Sequence, residues 1–289
     1  MPRIGHIAIR SREGTPPGLF WMGGFKSDMK GTKAAALDEW AEKQGRACTR
    51  FDYSGHGESS GAFEDGTIGQ WLEDSMAAFA TLSCPQVVVG SSMGGWMALL
   101  LARALKKKKM RASLAGLVLI APAPDFTEDL IWEALAPAER AALMAAGMIE
   151  QPSAYGEEPY RITRGLIEDG RCHLLLRDRI AISRPVRLLQ GIGDADVPWE
   201  TAIRLAERLE SSDVTVTLIK SGDHRLSTRE CARSRQRRCL DQRRRACRKR
   251  PGSRRCPALL PPRDRAQPWQ RSRASLVRDR VPGTSGSAG

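Results

Sequence analysis

Ser92 stands in Gly90-Ser91-Ser92-Met93-Gly94, a Gly-x-Ser-x-Gly stretch. The apolar run Val87-Val88-Val89 leads into it, and Trp96-Met97-Ala98-Leu99-Leu100-Leu101-Ala102 follows. A strand entering such a motif and a helix leaving it form a nucleophile elbow. The turn is tight, so the residues two before and two after the serine must be small. The hydroxyl is then pushed out at the carboxyl end of the strand. The Met93 amide falls at a helix N-terminus, where it can hold a developing oxyanion.

A serine hydroxyl is a weak nucleophile without a base, and the base needs an orienting acid. On this scaffold they follow in the order Ser, Asp or Glu, His, on loops after later strands. The chain has four histidines. His6 comes too early, His173 falls in or beside a long insertion, and His56 lies in a glycine-rich loop after Asp52 that shapes the structure. His224, in Ser221-Gly222-Asp223-His224-Arg225, follows the final expected strand and is the expected base. The acid is Asp194 or Asp196, in Gly191-Ile192-Gly193-Asp194-Ala195-Asp196-Val197-Pro198. Asp194 is favoured by its place just after a strand-ending glycine. Asp196 would then cap the helix after Pro198, a role equally open to Asp194. A second oxyanion donor should come from the loop after an early strand. Met22-Gly23-Gly24-Phe25 occupies that place, and the Phe25 amide is the expected donor; the plain alternative is a Gly-Gly turn.

These groups need strands and helices to hold them. Apolar patterning predicts strands over 4–9, 19–22, 46–53, 87–89, 114–121, 186–191 and 214–219. Helices are predicted over 32–44, 68–82, 95–105 and 199–209. The alternation argues for an α/β fold, a mostly parallel sheet with helices on both faces. Residues 122–182 break the rhythm, with helical patches at 127–135 and 137–148. A segment this long between two strands reads as a helical lid insertion, over about 123–182.

The net charge of +13 raises the question of nucleic acid. Its distribution answers it. Residues 230–289 hold 18 Lys or Arg against 4 Asp or Glu, whereas residues 1–229 hold 28 against 29. The body is near neutral, and nucleic acid is expected only as non-specific binding by the tail. No run approaches the ~18 apolar residues of a membrane span. The N-terminal residues lack the apolar core of a secretory signal. With Cys48, Cys84 and Cys172 scattered through the body, buried thiols in a reducing, cytoplasmic setting are expected. The four tail cysteines match no zinc spacing. Gly55-His56-Gly57 is not followed by the Lys-Ser or Lys-Thr of a phosphate loop.

Taken together, these residues resemble the alpha/beta hydrolases. More narrowly they resemble bacterial relatives of the palmitoyl-protein thioesterase alpha/beta hydrolase domain-containing protein ten. The resemblance is carried by Gly31-Thr32-Lys33-Ala34, Arg50-Phe51-Asp52-Tyr53-Ser54-Gly55 and Gly90 to Trp96. Asp194 to Trp199 and Asp223-His224-Arg225 complete it. It implies hydrolysis of acyl thioesters or carboxylic esters, on a small molecule or an acylated protein, with no metal or organic cofactor. Ser92, Asp194 and His224 fall where that family has its triad. A generic carboxylesterase or amidase on the same fold is the rival enzyme. A scaffold with a basic nucleic-acid-binding tail is the rival outside enzymes. The resemblance stops after Ser227-Thr228, giving a hydrolase domain over 1–228 and a basic tail over 229–289. That tail is rich in Arg, Pro, Ser and Cys without an apolar period. It is expected to be disordered, with the composition of a frameshifted C-terminus.

Overall fold

The computed structural model of the chain describes residues 6–107, 111–151 and 159–226. The expected tail and its boundary at 228/229 lie outside the described residues.

Seven strands form one sheet. In chain order they are β1 (Ile9–Arg12), β2 (Thr15–Met22), β3 (Arg46–Phe51), β4 (Gln86–Ser91), β5 (Leu114–Ile120), β8 (Val186–Gly191) and β9 (Val214–Ile219). Their spatial order is β1-β3-β2-β4-β5-β8-β9. Only β1 runs antiparallel, against β3; the other pairings are parallel. Helices α1 (Thr32–Lys43), α2 (Ile68–Ala80), α3 (Met93–Lys107) and α6 (Glu200–Arg208) join the strands.

The period of two along β2 and β4 builds both faces. Phe20, Met22 and Val88 join the main core with residues of α2 and α3. Leu19, Trp21, Val87 and Val89 turn the other way, towards Ala34, Leu37 and Ala41 of α1. Strands covered on both faces read as continuous apolar runs, as Leu117-Val118-Leu119-Ile120 does. Helix α3 starts beneath the sheet's centre, so every residue from Met93 to Ala102 is buried. Its last turn holds Lys106 and Lys107, where the helix dipole favours cations.

Several expectations need correction. The first strand is Ile9–Arg12 rather than 4–9. The Ala8 amide is diverted to the Ser59 hydroxyl at 2.9 Å and so is not available to a ladder. Strand β2 begins earlier than expected, at Thr15, and runs through Pro16 and Pro17. The segment between β5 and β8 is not wholly helical. A π-helix (Thr127–Trp132) and α4 (Pro137–Ala146) are followed by an antiparallel hairpin of β6 (Met148–Gln151) and β7 (Tyr160–Thr163). Helix α5 (Arg164–Arg171) comes next. The expected helix over 137–148 ends early because Gly147 takes φ +80°, closing α4 with a left-handed cap. Of the body cysteines, all free, only Cys48 is buried; Cys172 is exposed. Among the described residues, no helix is long and apolar enough to cross a membrane.

Candidate active site

Ser92 sits between β4 and α3 with φ +55°. That left-handed conformation is strained for a residue with a β-carbon. Its surroundings hold it there. The Ser92 amide donates to Ile120 O at 2.9 Å, and its carbonyl accepts from Gly95 and Ala123. A β-carbon on Gly90 would lie 2.2 Å from Gly94 O, and one on Gly94 would lie 2.1 Å from Met22 O. The need for small residues two before and two after the serine is therefore a matter of backbone contact. The second distance also shows the elbow pressed against the loop that follows β2.

Asp194 follows β8 and His224 follows β9. Their loops are joined by bonds from Ile192 N–H to Ile219 O and from Gly193 N–H to Gly222 O, both 3.0 Å. His224 Nδ1 lies 2.9 Å from Asp194 Oδ2, and its Nε2 lies 3.0 Å from Ser92 Oγ. An ionised carboxylate only accepts, so Nδ1 carries the proton and Nε2 is left to accept from the serine hydroxyl. The Asp194 side chain is fully buried. Burial pushes its carboxyl up, but His224 and the amides of Val197 and Asp196 outweigh that and hold it below the ordinary value.

Asp196 does not cap the following helix. The N-cap of α6 is Trp199, with no side-chain bond. Instead, the Asp196 and Val197 amides donate to Asp194 Oδ1, each at 2.9 Å. This turn gives the acid its fixed orientation. It also brings Asp194, Asp196 and His224 close enough to resemble a metal cluster. The two His224 nitrogens face Asp194 and Ser92.

Sequence reasoning missed Gln190. Its Nε2 donates to Asp194 Oδ2 at 2.9 Å and to Val197 O at 3.2 Å. The available signal was a polar glutamine after Leu188-Leu189 near the end of the strand, where an apolar residue would otherwise be expected.

The loop after β2 carries Gly24 and Phe25 past Ser92. Among the described residues, the Phe25 amide makes no hydrogen bond. Met93 opens α3, so its amide is one of the orphan donors of a helix N-terminus. The loop is held from behind. Lys26 N–H donates to His56 Nε2 at 3.3 Å, and Met29 N–H donates to Asp52 Oδ1 at 2.6 Å. His56 is buried against Tyr53, Phe63 and Trp71. Its Nδ1 faces Ser54 O at 3.1 Å, so that nitrogen donates and Nε2 accepts. Burial lowers its pKa, favouring this neutral form.

A cavity of about 660 Å³ opens on Ser92, Met93, His224 and Phe25. The β5–β8 insertion contributes Phe126, Leu130, Ile131, Tyr160 and Ile162 to its lining. Helix α1 and the loops after β8 and β9 contribute Thr32, Lys33, Asp196 and Arg225. The insertion is tied down behind this lining: buried Asp125 accepts from the Leu175 and Leu176 amides and pairs with Arg177 at 2.9 Å.

A mostly parallel sheet with its serine at the centre defines an α/β hydrolase. The model of the alpha/beta hydrolase family matches residues 17–284, and the chain belongs to that family. The match runs past Thr228, where the sequence motifs break off. Palmitoyl-protein thioesterase ABHD10, mitochondrial, from Homo sapiens is 37% identical over 227 residues, which is 78% of this chain and 72% of that protein. The protein of the same name from Bos taurus is also 37% identical, over the same shares. Among solved structures, a protein from Agrobacterium vitis described as a hydrolase has a TM-score of 0.75 at 46% identity, covering 77% of this chain and 87% of its own. Alpha/beta hydrolase domain-containing protein 10 from mouse has a TM-score of 0.70 at 33% identity, covering 83% and 97%.

Proposed function

We propose that the chain is a serine hydrolase that cleaves acyl thioesters or carboxylic esters through an acyl-enzyme on Ser92. The observation that carries this reading is the unbroken line from Ser92 Oγ through both ring nitrogens of His224 to buried Asp194. In the first half-reaction Ser92 Oγ attacks the acyl carbonyl carbon as His224 Nε2 takes its proton. The amides of Phe25 and Met93 hold the oxyanion. The carbonyl re-forms, the C–S or C–O bond breaks, and the leaving group takes the proton from the imidazolium. Water then gives a proton to His224 and attacks the ester, and Ser92 regains its hydrogen as the free acid departs. Asp194 fixes the ring and stabilises the imidazolium without itself being protonated.

The acyl chain lies against Phe126, Leu130, Ile131 and Ile162, which belong to the insertion and line the cavity beside Ser92. Identity with proteins named palmitoyl-protein thioesterases favours thioesters, borne by a small molecule or an acylated protein. The chemistry asks for no cofactor. A panel of acyl thioesters and nitrophenyl esters of rising chain length, with fluorophosphonate labelling of wild type and Ser92→Ala, tests the reading. Turnover and labelling that vanish together in the variant support it; labelling elsewhere than Ser92 overturns it.

A further inference from the structure

We infer that Lys33 and Arg225 form a subsite for an anionic group on the leaving half of the substrate, so that this enzyme prefers negatively charged leaving groups. The inference rests on the hydrolase reading above and adds to it a direction for the substrate. Both residues line the cavity that opens on Ser92 and His224. Arg225 directly follows the base, and Lys33 lies in the first turn of α1. The aliphatic lining comes largely from the insertion, whereas these two cations come from elements outside it. A substrate with its acyl chain on the insertion's residues leaves its other half to the rest of the lining, which includes these charges.

Lys33 is half-buried, and among the described residues no hydrogen bond to a carboxylate neutralises it. Burial and then the nearby Arg225 cation push its ammonium below the ordinary lysine value; Asp223 and Asp194 pull the other way without compensating. Asp194 is already engaged by His224, Gln190 and two amides. Asp28 and Asp196 share the cavity lining, and Asp28 Oδ1 accepts from the Lys30 amide at 2.8 Å. Burial and a nearby like charge both disfavour the Lys33 ammonium, and a bound anion offsets them. A carboxylate or a phosphate would meet the same need.

Three octanoyl thioesters separate the possibilities on the full chain. Their leaving thiols are N-acetylcysteamine, which is neutral; 3-mercaptopropionate, which carries a carboxylate; and coenzyme A, which carries phosphates. At low salt, kcat/KM should be higher for at least one anionic thioester than for the neutral one. A gain confined to one of them identifies the anion. The gain should shrink with added salt. Lys33→Met should lower the anionic-to-neutral ratio roughly fivefold, through KM, as loss of one partly exposed ion pair predicts; Lys33→Arg should keep it. Turnover of all three with a ratio near one, or a ratio that Lys33→Met leaves unchanged, would overturn this inference alone. Inertness towards all three, the neutral thioester included, would overturn the hydrolase reading and this inference with it.

Discussion

The main-chain N–H of Lys26 donates to Nε2 of buried His56 across 3.3 Å, fixing the residue next to the proposed oxyanion donor Phe25. His56→Ala removes that acceptor and should lower kcat on the order of tenfold with little change in KM. That is less than the ~100-fold or more that follows deletion of an oxyanion donor itself. His56→Gln, whose amide oxygen can accept in its place, should recover part of the loss. Steady-state kinetics on a single thioester reads both.

The same histidine sets an acid limit. Its folded pKa is lowered by burial. Above the ordinary imidazole value of ~6.5 both folded and unfolded states keep the ring neutral. Below it the unfolded chain takes up a proton that the folded chain resists, so stability falls until the lowered folded value is passed. Urea midpoints between pH 7.5 and 5 should fall in wild type and fall less in His56→Gln.

Ser92→Ala and His224→Ala should each abolish turnover. The double variant should lose little more than either alone, because groups that share one proton transfer act as a unit. Multiplicative losses in single-turnover assays would separate the two residues.

Asp194→Asn should cost about 10⁴ in kcat, the size of the loss in the serine protease case, and Asp196→Asn far less. Asp194 also contributes to stability as an anion. Its folded pKa is lowered, so that contribution is present above the ordinary value of ~3.9 and is lost as pH falls through the folded value. The stability gap between wild type and Asp194→Asn should therefore close at low pH, as read by urea unfolding.

Removing residues 230–289 should leave thioester kinetics as they are and abolish retention on heparin. The deleted stretch holds 18 Lys or Arg against 4 acids, and none of the proposed site residues. Loss of turnover in the truncated chain would place part of the working enzyme in that stretch.

The elbow was legible in the sequence because its constraint is local. Gly90 and Gly94 answer to backbone atoms within one turn or in the adjoining strand loop. Asp194 and His224 were legible because strand ends can be counted from apolar runs, and each follows such an end. The hairpin of β6 and β7 was not legible: strands of four residues are too short for a period of two to stand out. Asp196 was misread because a carboxylate before a helix has the look of a cap, yet here the peptide around it serves Asp194. Gln190 was passed over because nothing local distinguishes a glutamine that meets a buried acid from one that meets water. The convergence of Lys33 and Arg225 on one cavity arises only when the first helix and the final loop are brought together by the sheet.

The proposed nucleophile and its proposed base are mounted at unequal depths. Strand β4, which leads into Ser92, is buried along nearly its whole length, while β9, which leads to His224, has no fully buried residue and, among the described residues, lies at the edge of the sheet. Opening of a folded protein begins where burial is least. Loosening at the rim would carry the imidazole away while the serine stays seated in its strained turn. Heat or mild denaturant should therefore switch this enzyme off before it unravels it, and cooling should switch it on again. The working range should then follow how firmly β9 holds to β8 more than the strength of the core.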